Sequence, residues 1–252
     1  MSFNFDSNNF GVVCFGVVLL LFIVLLVIAL VYSSKRKHQI KQSANQMGFV
    51  PENNPGQEFL EGLKAAYAPA QLVRITNVSK RVYGDELVYL FDCSTREINL
   101  STHSGPEIVT TTGNFGIQSP HLNLPHFVLM ARVQIPQILE GKMESVIEEG
   151  IARMGMSPWQ IVPPEFDAKY QLFVEEDPRV QTVFTASVLT KIAGFSPFNA
   201  RGKGRVIIFN PRGMNQGSQM DDETLPSMFR QASNCANCLQ VDRMGEQSKI
   251  TS

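Results

Sequence analysis

The chain has 252 residues, of which 44% are hydrophobic, 18% charged and 9% aromatic, and its formal net charge is −1. A neutral total of this kind excludes a nucleic-acid binder that relies on a broad basic surface. Four cysteines, Cys14, Cys93, Cys235 and Cys238, are too few and too scattered for an extracellular disulfide scaffold, and free thiols in a reducing compartment fit them better.

Phe10 to Tyr32 is an uninterrupted apolar run of 23 residues, FGVVCFGVVLLLFIVLLVIALVY, without a charge or a proline. A bilayer core needs about 20 such residues in a helix, which satisfies every backbone polar group internally. A cleaved signal peptide fits less well. MSFNFDSNN carries no Lys or Arg, the run exceeds the usual apolar core of roughly 7–15 residues, and Ser33-Ser34-Lys35 is a poor cleavage site. An uncleaved transmembrane helix over 10–32 is therefore expected, after a short extracytoplasmic segment over 1–9.

Charge is distributed unevenly. Lys35, Arg36, Lys37 and Lys41 follow the apolar run directly, and Asp6 is the single acid before residue 42; the remainder holds 18 basic and 22 acidic residues, a net of −4. The positive-inside bias then places the N-terminus outside and residues 35–252 in the cytoplasm. The same four residues form a basic cluster at the membrane edge that can attract anionic headgroups, at about 1 kcal/mol each. Asn77-Val78-Ser79 and Asn99-Leu100-Ser101 match glycosylation acceptors, which have no meaning on the cytoplasmic side. Gly11 and Gly16 lie five apart, so no GxxxG pair supports helix dimerisation.

Residues 33–56 read as a basic juxtamembrane segment and linker, ended by Gly48, Pro51, Pro55 and Gly56. A soluble domain is expected over 57–242, with a flexible tail over 243–252. Its first element is a short helix at 57–66, where Phe59, Leu60 and Leu63 share a face. Residues 72–78 and 87–93 predict a hairpin around Tyr83-Gly84-Asp85, and LVYLFDC reads as a strand buried on both faces. Strands are expected at 107–116 and 127–133, with the proline-punctuated IQSPHLNLPH between them as loop. A helix follows at 137–154, then a strand at 170–175. Asp177-Pro178 caps a helical stripe of Val180, Val183, Phe184, Val188 and Ile192. A strand at 205–210 and a helix carrying Leu225, Phe229, Ala232, Ala236 and Leu239, capped by Asp221–Thr224, complete the pattern. This order favours an α+β fold, with a largely antiparallel sheet and flanking helices after one N-terminal transmembrane helix.

Each candidate for chemistry has a plainer explanation. Cys235-Ala236-Asn237-Cys238 is a CxxC pair, half of a tetrahedral metal site, and the other candidate ligands, Cys93, His103, His121 and His126, lie more than a hundred residues away. A redox CxxC works at a helix N-terminus, whereas this one falls late in the expected helix. Cys235 and Cys238 therefore remain weak metal candidates and read better as a small core residue and a surface thiol. His121 and His126 bracket a proline loop without metal-ligand spacing. Gly202-Lys203-Gly204, between Arg201 and Arg205, suggests a phosphate loop, but it precedes a strand instead of opening a helix and reads as a tight turn. Of the acidic runs at 148–149, 175–177 and 221–223, two sit at helix starts, where negative charge suits the dipole, and capping explains them without catalysis. GxSxG, HExxH and Walker patterns are absent, so no catalytic residue, cofactor or metal is assigned.

Three stretches carry a family likeness: GDELVYLFDC at 84–93, SPHLNLPHFVL at 119–129 and PEFDAKYQLFVEED at 164–177. On these the chain resembles an uncharacterised bacterial family of single-pass membrane-anchored proteins with a cytoplasmic α+β domain and no assigned activity. Cys93 stands where that pattern has an aromatic, and Val174 where glycine is common. The resemblance implies fold and anchoring but no mechanism. The function expected is that of a membrane-tethered interaction or scaffold domain, not an enzyme, with the lipid bilayer and an unknown protein as partners and no nucleic acid. The alternatives are a membrane-anchored enzyme with a dispersed site and a peripheral module that senses anionic lipid.

Overall fold

The computed structural model describes residues 18–20, 22–24, 41–68, 71–97, 108–132, 151–152, 155–210 and 225–240. Nine strands form one sheet: β1 (Val50–Pro51), β2 (Gln71–Tyr83), β3 (Glu86–Glu97), β4 (Ile108–Gln118), β5 (Leu124–Ala131), β6 (Met156–Pro158), β7 (Tyr170–Glu175), β8 (Asn199–Gly204) and β9 (Val206–Asn210). Their order is β1-β2-β3-β4-β9-β8-β5-β7-β6, and every pairing is antiparallel. The helices that flank the sheet among the described residues include α1 (Gln57–Tyr67), α2 (Pro164–Asp167), α3 (Val180–Val183), α4 (Ala186–Ala193) and α5 (Leu225–Cys238). The fold is thus mixed α+β, with a large antiparallel sheet and flanking helices.

The sheet is covered on both sides, which explains the nearly continuous apolar runs in its central strands. One face holds Leu90, Phe115, Ile117, Leu129, Ile207 and Phe209 against Val188, Leu189 and Ile192 of α4 and Leu225, Ala232, Cys235 and Ala236 of α5. The other face holds Tyr89, Phe91, Cys93, Val206 and Ile208 against Phe59, Leu63, Ala66 and Tyr67 of α1. The Phe59 ring stacks on Tyr89 at 3.8 Å between centroids and meets Phe91 edge-on at 5.6 Å. Burying Phe59 and Leu63 against the sheet contributes roughly 1.5–3 kcal/mol each, which holds a helix that has no side-chain cap at its N-terminus. A third cluster joins Val128, Met156 and Phe173 to Ile151 on the α1 side.

Several boundaries differ from those expected. Residues 41–46 are helical, and Ala44 and Phe49 enter the main core, so part of the segment read as linker packs with the domain. Strand β5 begins at Leu124 inside the proline-punctuated stretch. The register shift between Leu124 and Phe127 accommodates Pro125, which has no N–H to give to a ladder. The stripe from Val180 to Ile192 is two helices, because Thr185 is extended (ψ 157°) and caps α4 by accepting from Val188 N at 3.3 Å. Asp177 accepts from Arg179 N at 2.8 Å, but this contact closes a turn ahead of α3, whose N-cap is Arg179 without a side-chain hydrogen bond, so Asp177-Pro178 does not cap the helix as expected. The glycine-rich basic stretch is mostly strand: β8 runs to Gly204, and the turn itself is Gly204-Arg205, with Gly204 at φ +60°. The helix at 137–154, the cap at 221–224 and the tail at 243–252 lie outside the described residues, apart from Ile151 and Ala152, which are helical. Most of the apolar run at 10–32 also lies outside them; among the described residues, no helix is long and apolar enough to cross a membrane.

Candidate functional site

The chemistry-bearing side chains gather on the α1 side of the sheet, where β8 crosses beneath the end of that helix. Alternation along β8 sends Arg201 and Lys203 to this face, since Arg201 pairs in register with Val128 and Ile208, both of which belong to it. The Arg201 guanidinium lies over the Tyr67 ring, 4.2 Å from its centroid. The Tyr67 hydroxyl is hydrogen-bonded to the Cys93 thiol, and burial raises both groups above their ordinary proton affinity. Lys203 Nζ donates to Glu175 Oε2 at 3.1 Å, and His126 Nδ1 lies 3.5 Å from the same oxygen.

His126 is buried, with 5% of its surface exposed. Burial lowers its pKa from the ordinary 6.5, the Lys203 charge lowers it further, and the Ala66 carbonyl and Glu175 oppose the shift. Glu175 is held below the usual carboxylate range, chiefly by the Lys203 hydrogen bond. The cluster therefore joins α1, β3, β5, β7 and β8 through one imidazole, one thiol, one phenol and three charges. Only Arg201, Lys203 and Glu175 reach solvent. A nucleophilic cysteine needs a lowered pKa and access, and Cys93 has neither. In this arrangement the Tyr67–Cys93 contact ties the C-terminal end of α1 to the sheet, with His126 buried beside it and its Nε2 without a hydrogen-bond partner among the described residues.

The CxxC pair sits on the opposite face, in α5. Cys235 is buried, with its thiol pushed well above the ordinary range by desolvation; Cys238 is half-buried and raised for the same reason, with Lys191 opposing. The three-residue step around a helix turns one thiol inward and the other to the rim. Among the described residues, no group of three or more His, Cys, Asp or Glu side chains could hold a metal ion. His121 is far from that pair in role, facing Asp85 with Nε2 2.5 Å from Oδ2 at the tip of the β2–β3 hairpin. Asn77 adopts φ +53° at a bulge in β2 and donates to Asp92 at 2.6 Å. Lys41 is exposed, whereas Lys35, Arg36 and Lys37 lie outside the described residues.

The sequence reading missed the joining of Tyr67, Cys93, His126, Glu175, Arg201 and Lys203. They come from five elements and leave no local spacing. The period-two placement of Arg201 and Lys203 was the available signal, and two glycines that resemble a turn obscured it.

No protein-family model matches the chain, and no curated protein matches it. Among solved structures it is similar to the crystal structure of the mycobacterial trehalose monomycolate transport factor A, TtfA, with 10% sequence identity and a TM-score of 0.47. That similarity covers 82% of this chain and 95% of the other. Likeness at this level establishes neither a shared fold nor a shared activity.

Proposed function

We propose that this chain is a single-pass membrane protein. Residues 10–32 cross the bilayer with the N-terminus outside, and the folded domain acts in the cytoplasm as a non-catalytic interaction or scaffold domain. The observation that carries the anchoring is the exposure of the helical residues within the apolar run. Val18, Leu19, Leu20, Phe22, Ile23 and Val24 expose between 46% and 64% of their surfaces and belong to none of the buried clusters. Leaving such side chains in water forfeits roughly 1.5–3 kcal/mol each, a cost that hydrocarbon removes. Lys35, Arg36, Lys37 and Lys41 favour the inward orientation. The family resemblance over 84–177 supports the same arrangement.

The non-catalytic reading rests on how the reactive side chains are used. Cys93 meets Tyr67 and fastens α1 to the sheet, His126 is buried beside them, Cys235 fills the core, and Asp177 closes the turn before α3. The test is topological and then chemical. The protein is expected to stay with membranes through an alkaline wash. In intact cells an impermeant maleimide is expected to label Ser2→Cys but not Lys64→Cys, which lies on the exposed side of α1. Release by alkali, or labelling of Lys64→Cys without permeabilisation, would overturn the anchor or its orientation. In-cell crosslinking from the exposed face of α1 is expected to trap a discrete protein partner. A substrate turned over in a His126-dependent manner would refute the scaffold reading.

A further inference from the structure

Exposed apolar surface on the domain is concentrated at one corner. Besides the six side chains at 18–24, the large exposed hydrophobic residues among the described residues are Val50 (65%), Val82 (62%), Tyr83 (58%) and Ile161 (72%). The first three lie at one end of the β1–β2 edge, on both faces of the sheet. Val50 pairs with Lys80 across β1–β2, so it shares a face with Val82 two residues further on, whereas Tyr83, next in the strand at the hairpin tip, projects to the opposite face beside Arg81. Ile161 follows β6, the strand at the opposite edge of the sheet.

This corner is also where the chain joins the domain. Ala44 and Phe49 are its first buried residues, with Phe49 against Phe115 and Phe229 at 6.4 and 5.8 Å. Between the end of the apolar run at Tyr32 and Lys41 stand eight residues, which extend to about 28 Å at most. The corner composition suits a lipid interface: two aliphatic side chains, a tyrosine and the Arg81 guanidinium. The Arg81 guanidinium lies over the rings of Tyr83 and Phe229, at 5.7 and 5.3 Å. The nearby carboxylates are already matched, Glu52 by Lys80 at 2.7 Å and Asp85 by His121.

We propose that the corner formed by Val50, Val82 and Tyr83 rests in the headgroup layer of the membrane, so that the domain lies against the bilayer instead of hanging freely from its tether. This rests on the anchor proposed above. The full chain is placed in nanodiscs of phosphatidylcholine and phosphatidylglycerol, with lipids brominated near the top of the acyl chain. Tyr83→Trp and Ile161→Trp are compared, each read against the unmodified chain, whose single Trp159 gives a common background. The expected result is a blue-shifted emission from Tyr83→Trp that bromine quenches several-fold more than that of Ile161→Trp. Equal quenching in discs that retain the protein overturns the docking and leaves the anchor standing. A blue shift without quenching shows the corner covered by a second copy and also overturns it. Loss of the unmodified protein from the discs overturns the anchor, and this inference with it.

Discussion

Gln240 Nε2 donates to Glu86 Oε1 at 2.5 Å, linking two buried residues that stand 154 apart in sequence. The contact fastens the end of α5 to the base of the β2–β3 hairpin, where Glu86 pairs with Tyr83 beside the two-residue turn. Glu86 is 8% exposed and Gln240 is fully buried, so neither can fall back on water. Gln240→Leu is expected to lower stability by about 1–3 kcal/mol, because it leaves a buried acid without its donor. Glu86→Gln keeps a hydrogen-bonding pair and is expected to cost less. Thermal unfolding of the full chain in detergent, followed by circular dichroism, measures both; equal effects would show that the pair is not the source.

Two glycines set how closely α1 approaches the sheet. A Cβ on Gly62 would collide with the Val206 side chain, and one on Gly116 would lie 2.7 Å from Phe59 Cε2 and 3.1 Å from Phe91 Cε1. Gly62→Ala would favour the helix intrinsically, yet overpacking costs about 1–3 kcal/mol and outweighs that gain. A lower unfolding midpoint is expected for Gly62→Ala and for Gly116→Ala. Lys64→Ala, on the exposed side of the same helix, is expected to stay within about 0.5 kcal/mol of the native chain. A stabilised Gly62→Ala chain would disprove this account of the packing.

What the sequence disclosed followed the strength of its local patterns. The β2–β3 hairpin, β7, β9 and α1 announce themselves through β-branched runs, a Gly-Asp turn and a three-residue apolar stripe, and the structure places them close to where they are expected. β8 was hidden because NARGKG has no β-branched residue, while burial of its neighbours supplies the pairing. Gly202 is required there, since a Cβ would lie 2.8 Å from Phe127 Cε1 and 3.0 Å from Val206 O. β1 and β6, with two and three residues, are too short to show a period. The polar cluster was illegible for a different reason: its members are adjacent only after five elements have assembled.

The thiols are expected to be quiet. Among the described cysteines, Cys235 and Cys93 are buried and Cys238 is half-buried, and desolvation raises all three. A colorimetric disulfide reagent at neutral pH is expected to react with Cys238 first and slowly, and with the other two only on unfolding. Chelators and added zinc are expected to leave the unfolding temperature unchanged. A zinc-dependent rise that the Cys238→Ser substitution abolishes would restore the CxxC pair as half of a metal site.

Stability should fall on mild acidification, and His126 should be the reason. Its folded pKa lies below the ordinary 6.5, so between those values the unfolded chain binds a proton that the folded chain refuses. Stability then rises with pH through this window: it is complete above about 6.5 and lost as pH falls toward the folded value. The groups facing His126 are Glu175 from β7, Lys203 from β8 and the Ala66 carbonyl from α1; burial and Lys203 together outweigh the attraction of the other two. Glu52, Glu165, Glu175 and Asp177 also have lowered values, but their ordinary values are 4.5 for glutamate and 3.8 for aspartate, so their losses begin at lower pH. Unfolding midpoints measured from pH 7 to pH 5 are expected to decline for the native chain and to flatten for His126→Gln, whose amide can still face the Ala66 carbonyl. Lys203→Met is expected to shrink the decline, because it removes the charge that opposes protonation. An unchanged slope in His126→Gln would place the acid sensitivity elsewhere, and a native chain that gains stability toward pH 5 would show that Glu175 prevails over burial at this imidazole.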